Sequence, residues 1–380
     1  MMDFPVELFR GADTPFYYYN LELLRQTLSC IKSSIPASNF KVHYAMKANA
    51  NPVILEQIND AGLGIDAVSG GEIKAAISAG FDPQKIVFAG VGKTDAEIIY
   101  GINTGISAFN VESLPELEVI SEIATSLNKT ANVAIRVNPN IDAHTHHYIT
   151  TGLAENKFGI NLEQLDSVIE KCNALTGVEL IGLHFHIGSQ ITDNTPFAVL
   201  CERINSLQNE LEAKGVRLKT INVGGGLGID YDNPDENPIP DFKSYFEVFS
   251  KNLNLRPGQE LHFELGRSIV AQCGSLITKV LYVKKGTTKQ FAIVDAGMTD
   301  LIRPALYQAY HKIDNLSSNG VLEKYDVVGP ICESSDVFQE DAVLPQVRRG
   351  DLLALRSAGA YGEIMASQYN LRRLPGSIAK

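Results

Sequence analysis

Apolar residues in this chain fall into short, β-branched runs, separated by longer stretches in which they recur every three or four positions. The runs occupy residues 41–45, 64–68, 85–89, 106–111, 132–137, 180–187, 218–223 and 260–265. Residues 52–61, 71–80, 113–127, 162–175 and 196–214 carry the spacing of amphipathic helices. Strands alternating with helices predict a parallel sheet, and eight such units suit a closed (β/α)8 barrel, which typically needs about 250 residues. An open, doubly wound sheet is the other arrangement this alternation permits.

After residue 270 the pattern changes to short strand-like pieces at 275–283, 290–295, 325–328 and 351–355, punctuated by turns. This predicts a C-terminal all-β domain. The opening segment TPFYYY, Thr14 to Tyr19, also has strand composition and is expected to pair with that later domain. The expected division is therefore a barrel over residues 25–270 and a β-domain made of 1–24 and 271–380. A chain of 380 residues with 44% hydrophobic content exceeds the size at which one core usually stops growing, which fits two domains. The acidic, proline-containing stretch DYDNPDENPIPD, from Asp230 to Asp241, reads as a solvated loop.

Charge narrows the function. With 33 basic and 44 acidic residues the net charge is −11, which argues against a nucleic-acid partner. Met1 to Arg10 holds neither a basic, then apolar, export signal nor a membrane span, so a cytoplasmic protein with no membrane partner is expected. The five cysteines, Cys30, Cys172, Cys201, Cys273 and Cys332, form no CxxC pair, which argues against a disulfide framework and a structural zinc site.

In a (β/α)8 barrel the chemistry sits at the C-terminal ends of the strands. The residues there are Lys47, Ser69 with Gly70 and Gly71, Asn110, Arg136 with Asn138, His184 with His186, Gly224 to Gly226, and Glu264 with Arg267. Lys47 is either a snorkelling strand-edge residue or, if buried at the barrel mouth, an amine whose charged form is disfavoured and which condenses with an aldehyde. The run GGGLG from Gly224 is a tight turn or a phosphate cradle; it does not fit the dinucleotide fingerprint, whose third glycine would fall at Ile229. His184 and His186 alternate on one strand, as a metal pair, a ring-stacking pair or hydrogen-bonded core histidines would. Glu264 could pair with Arg267 or hold a pyridinium nitrogen protonated. Cys332 reads as a loop cysteine, and His144, His146 and His147 as part of a solvated loop.

Taken together, the motifs YAMKAN around Lys47, GIDAVSGGE from Gly64, RVNP from Arg136, KFGI from Lys157, GLHFHIGSQ, NVGGGLG, ELGR, DAGMTDLIRPALY from Asp295, GPICESSD from Gly329, GAYG and MASQYN resemble the fold-type III pyridoxal 5'-phosphate (PLP) decarboxylases. The likeness runs from about Thr14 to Asn370, and it is strongest to the branch that decarboxylates meso-2,6-diaminopimelate to L-lysine and CO2, the last step of lysine biosynthesis. It implies that Lys47 carries PLP, that His186 stacks on its ring and that Glu264 binds the pyridine nitrogen. Ser189, Gly225, Gly226, Gly266, Arg267 and Tyr361 would surround the phosphate. Arg267, Arg303, Tyr307 and Tyr361 would hold the substrate, with Glu333 meeting its distal amino group. Cys332 is the acid expected to return a proton to the α-carbon. The resemblance further implies a homodimer in which Cys332 and Glu333 complete the neighbouring subunit's site, and no metal. The sequence departs from the pattern at Leu265 and Ser335, where proline and glycine are usual. Related decarboxylases of ornithine, arginine or carboxynorspermidine, a non-catalytic PLP-binding homologue and a metal-dependent barrel hydrolase are the competing readings.

Overall fold

The computed structural model describes residues 4–141 and 157–380. The histidines at 144, 146 and 147 lie outside the described residues. Two compact units divide the chain: one comprises Met1–Thr27, Ile229–Pro240 and Arg267–Lys380, the other Leu28–Gly228 and Asp241–Gly266.

The second of these is the barrel. Its strands are β1 (Phe40–Ala45), β2 (Gly64–Ala67), β3 (Ile86–Phe88), β4 (Ala108–Val111), β5 (Ala131–Asn138), β6 (Val178–His184), β7 (Thr220–Asn222) and β8 (Glu260–Leu265). Each pairs in parallel with the next, and β8 pairs back to β1, so the sheet closes on itself rather than remaining open. The helices Pro52–Asp60, Gly70–Ser78, Asp95–Thr104, Leu114–Ser126, Leu162–Ala174, Thr195–Ala213 and Phe242–Asn252 follow β1 to β7 in turn. Local chemistry starts several of them. Ser69 and Ser113 accept from the N–H three residues on, and Thr94 with Glu97 forms a reciprocal capping box, each cap contributing about 1 kcal/mol. The helices Thr195–Ala213 and Phe242–Asn252 dock through Phe197, Tyr245 and Phe249, whose rings meet at 5.0–5.8 Å.

Barrel interiors are ordinarily filled by layers of branched apolar side chains. Here the seam between β8 and β1 is polar instead. Glu264 reaches Asn110 on β4, so its side of β8 faces inward, and His262 and Glu260 share that face by strand alternation. His262 stacks on His43 of β1 with ring centroids 4.9 Å apart and Nδ1 3.1 Å from the His43 Nε2. Its other nitrogen faces Glu260 at 3.2 Å. The His43 Nδ1 lies against the Lys85 carbonyl and the Ile65 backbone without a well-aligned hydrogen bond. A Cβ at Gly64 would come within 2.5 Å of this nitrogen, which explains glycine on the neighbouring strand.

The other unit is built on β-structure. Gly274–Lys285 pairs antiparallel with Phe16–Tyr19, Gln290–Val294 and Leu352–Leu355, so the opening aromatic segment joins the later strands as its composition predicts. Gly376–Ala379 adds to Phe16–Tyr19 in parallel. Phe4, Phe9, Phe16, Tyr18, Ile277, Leu352 and Ala354 form its apolar cluster, with Phe9 set edge-on to Phe16 and Tyr18.

The segment Ile229–Pro240 corrects the solvated-loop reading. It leaves the barrel after β7 and belongs to the β-rich unit. Asp235 accepts from Arg356 at 3.0 Å, and Asp314 takes the other arm of that fully buried guanidinium at 2.7 Å. Gln272 donates to the Asp230 and Asn237 carbonyls at 2.9 and 3.2 Å. An acidic composition marks solvent only when no buried cation waits for it.

Candidate active site

The barrel's polar residues converge at the strand ends on Glu264. This buried carboxylate accepts from Asn222 at 2.7 Å, from Asn110 at 3.1 Å and faces the His184 Nε2 at 3.0 Å. A carboxylate offers about four lone-pair sites, so one remains for a further donor. Burial works against its charge, but His184, Lys47 and His186 together hold it well below the usual carboxylate range. Glu264 is therefore an anion at neutral pH.

Lys47 follows β1 on a short 3-10 turn, Met46–Ala48. Its charge acts on Asp66, Glu72, Glu264 and His186, which places the amine among them. The side chain is exposed rather than buried, so the desolvated lysine envisaged from the sequence is corrected: carboxylates, not dehydration, surround this amine. Asp66 on β2 is absent from the sequence-derived site. It is 1% exposed, its Oδ1 has no hydrogen-bond partner, and burial followed by the Glu264 charge pushes its pKa well up. The two carboxylates thus shift in opposite directions, Asp66 up and Glu264 down. A single acidic residue inside a run otherwise composed for a buried strand was the available signal.

The His186 Nδ1 accepts from the Gly225 N–H at 3.3 Å. Burial, and then the Arg136 and Lys47 charges, lower its pKa well below the ordinary value, so the imidazole is neutral. The glycines beside it are sterically required. A Cβ on Gly225 would lie 2.0 Å from the Glu264 carbonyl oxygen, and one on Gly224, whose φ is +70°, 2.3 Å from that of Phe185. Gly226 has φ +117° and approaches the Gly188 carbonyl. Gly266 packs its α-carbon against Ala45 and Ala48, and Ser189 is half-buried beyond β6. Arg136 pairs with Glu112 at 2.7 Å, while Ser69 serves as a helix cap, a structural role.

These features fit PLP: an amine beside paired carboxylates, a buried anion with spare acceptor capacity, a neutral flat imidazole and a backbone cradle that excludes side chains.

Within the β-rich unit a second cluster gathers Arg267, Arg303, Tyr307 and Tyr361. The Arg267 guanidinium lies over the Tyr361 ring at 5.1 Å, and that of Arg303 lies over Tyr307 and Tyr361 at 5.8 Å. Tyr231, missed from the sequence because it stands in the acidic segment, receives a hydrogen bond from each arginine. Cys332 and Glu333 are exposed on a loop closed by Asp336, which accepts from the Met298 and Ile331 N–H groups at 2.6 and 2.7 Å. The Cys332 N–H donates to Asn370, and Glu333 accepts from the Tyr369 hydroxyl. Burial pushes the thiols of three buried cysteines up, Cys172 to about 11 and Cys201 and Cys273 to about 12. No helix among the described residues is long and apolar enough to cross a membrane.

Comparison with known proteins agrees with this geometry. The sequence profile of the pyridoxal-dependent decarboxylases, pyridoxal binding domain, matches residues 21–271. Diaminopimelate decarboxylase of Bacteroides thetaiotaomicron is 62% identical over 98% of this chain and 97% of its own length. The crystal structure of diaminopimelate decarboxylase from Helicobacter pylori complexed with L-lysine superposes with a TM-score of 0.93 at 42% identity, covering 99% of this chain and 93% of that one. A lysine/ornithine decarboxylase from Vibrio vulnificus shares the fold, with a TM-score of 0.85 at 23% identity over 99% of this chain and 97% of that one. The chain belongs to the pyridoxal-dependent decarboxylase family and uses pyridoxal 5'-phosphate as its cofactor.

Proposed function

We propose that the protein decarboxylates meso-2,6-diaminopimelate to L-lysine. Bound PLP supplies an electron sink for the pair left on the α-carbon as CO2 departs. The observation carrying the assignment is Glu264, an inward carboxylate kept anionic by His184, Asn110 and Asn222, which holds a proton on the ring nitrogen. Lys47 would hold the cofactor through its amine. His186, neutral and pinned by Gly225, would stack on the ring, and Ser189, Gly225, Gly226 and Gly266 would receive the phosphate, a role the family resemblance extends to Arg267 and Tyr361. Arg303, with Arg267, Tyr307 and Tyr361, holds the carboxylate the substrate keeps, and Glu333 its distal ammonium. Cys332 would supply the proton that the α-carbon takes up.

Similarity to curated diaminopimelate decarboxylases supports this substrate, as does the demand of a buried arginine for an anion that ornithine does not offer at its far end. The exposed position of Cys332 and Glu333 supports a homodimer in which they serve a neighbouring site. The protein acts in the cytoplasm. CO2 release from diaminopimelate and from ornithine, measured side by side, tests the substrate, and preference for ornithine overturns it. The absorbance of the lysine-bound cofactor disappears in Lys47→Ala; its persistence would remove Lys47 from the role.

A further inference from the structure

Two guanidinium groups in the β-rich unit share one phenol oxygen. Arg267 donates to the Tyr231 hydroxyl from Nη1 at 2.5 Å, and Arg303 from Nη2 at 3.4 Å. Both arginines are buried, and both also lie over the Tyr231 ring at 5.9 Å. Burial lowers the Arg303 pKa, with Tyr231 opposing the fall and the like charge of Arg267 adding to it. Among the described residues Arg303 has no carboxylate partner. Its Nε donates to the His311 Nε2 at 3.4 Å. The remaining His311 nitrogen, Nδ1, faces the Arg356 carbonyl at 2.8 Å, which fixes the tautomer that leaves Nε2 an acceptor. Burial and the Arg303 charge lower the His311 pKa to about 3, so this ring stays neutral and adds no counter-charge.

Tyr231 is held there rather than resting by chance. Its segment is fastened by the Asp235–Arg356 pair and by Gln272, and Asp235 also meets Lys312 at 3.5 Å. Asp230 folds the segment on itself by accepting from the Asp232 and Asn233 N–H groups at 2.9 and 2.8 Å. The phenol ring stands edge-on to His311 at 5.4 Å. A phenol oxygen thus sits, on a pinned segment, between two guanidiniums, one of which, Arg303, has no carboxylate partner among the described residues.

We propose that Tyr231 is a specificity-determining residue that recognises the carboxylate retained by the substrate. Its oxygen accepts from both guanidiniums and keeps them converged. When the carboxylate arrives, the guanidiniums turn to its oxygens and the freed hydroxyl donates its proton in a third hydrogen bond. The inference rests on the proposed diaminopimelate reading, in which one carboxylate leaves and the other stays.

L-lysine keeps that carboxylate, and cadaverine is the same diamine without it. In Tyr231→Phe holoenzyme, which retains the ring against His311, the affinity for L-lysine and the KM for diaminopimelate worsen about tenfold, the loss expected for a hydrogen bond to a charged group. Cadaverine inhibition and kcat each stay within about twofold, because the lost contact is uniform in ground and transition states. Asp235→Asn, which loosens the segment without touching the phenol, gives a smaller loss of the same selectivity. Equal weakening of lysine and cadaverine, or unchanged lysine affinity in both variants, overturns the role of Tyr231. If the unsubstituted holoenzyme does not decarboxylate diaminopimelate, it is the functional reading that fails.

Discussion

Glu264→Gln preserves the shape of the central side chain and removes its charge. In the parent the carboxylate takes hydrogen bonds from Asn222 at 2.7 Å and Asn110 at 3.1 Å and meets His184 at 3.0 Å. The glutamine oxygen still serves the two asparagines, but its amide now points a donor at the His184 Nε2. That ring must move its proton to Nδ1, a buried atom with no hydrogen-bond partner. Exchanging three charge-assisted bonds for neutral ones costs about 1 kcal/mol each, and relief of a buried charge offsets part of that sum. The variant therefore folds, and with Lys47 intact it binds the cofactor. Its chemistry suffers more, because a full negative charge opposite the ring nitrogen is lost from a preorganised site. Loss of one such electrostatic partner lowers kcat by about 10² to 10³, equivalent to about 3–4 kcal/mol. Cofactor absorbance establishes occupancy in parent and variant, and CO2 release at saturating diaminopimelate gives kcat. A fully occupied variant within about threefold of the parent refutes the role assigned to Glu264.

The seam histidines make stability depend on pH. Burial, then the neighbouring His262, lowers the His43 pKa from 6.5 to about 3, while Glu264 acts in the opposite direction. Between those values the unfolded chain binds the extra proton, so stability falls as the pH drops below 6.5 and levels off near 3, by at most about 5 kcal/mol. Urea unfolding at stepped pH shows a shallower dependence in His43→Gln, whereas identical slopes would discount His43. Sharing of Cys332 between subunits is tested by mixing inactive Lys47→Ala and Cys332→Ala chains. Random reassortment into mixed dimers, each with one intact site, restores about one quarter of the parent's sites, and no recovery despite demonstrated exchange means that each site is complete within one chain.

The barrel was legible because its strands announce themselves as apolar runs and its chemistry as the polar residues that end them. Lys47, Asn110, His184, Gly225 and Glu264 were all accessible this way. Residues inside the runs were harder. Asp66, His43 and His262 occupy strand positions where alternation alone cannot distinguish a polar plug from an occasional substitution, and only the closed ring makes them neighbours. Tyr231 was hidden differently: loop composition reports affinity for water, but Arg356, 125 positions away by the numbering of the two residues, decides whether the segment meets water at all. Lys47 shows a third limit, since a position at a strand end does not say how much of a long side chain is covered.

The placement of Ile229–Pro240 has a consequence for how this protein is divided and inherited. One unit is assembled from three segments and the other from two, so the chain passes between them four times. No single cut separates them, and no contiguous fragment carries either unit whole without residues of the other. A fragment spanning the barrel strands would include Asp235 but leave behind Arg356, and one beginning at Arg267 would keep Arg356 and Asp314 without Asp235, removing one of the two carboxylates that meet a buried cation. The barrel is thus no cassette to be lifted out by recombination: its sequence also encodes part of its companion, and the two must be translated, folded and mutated as one.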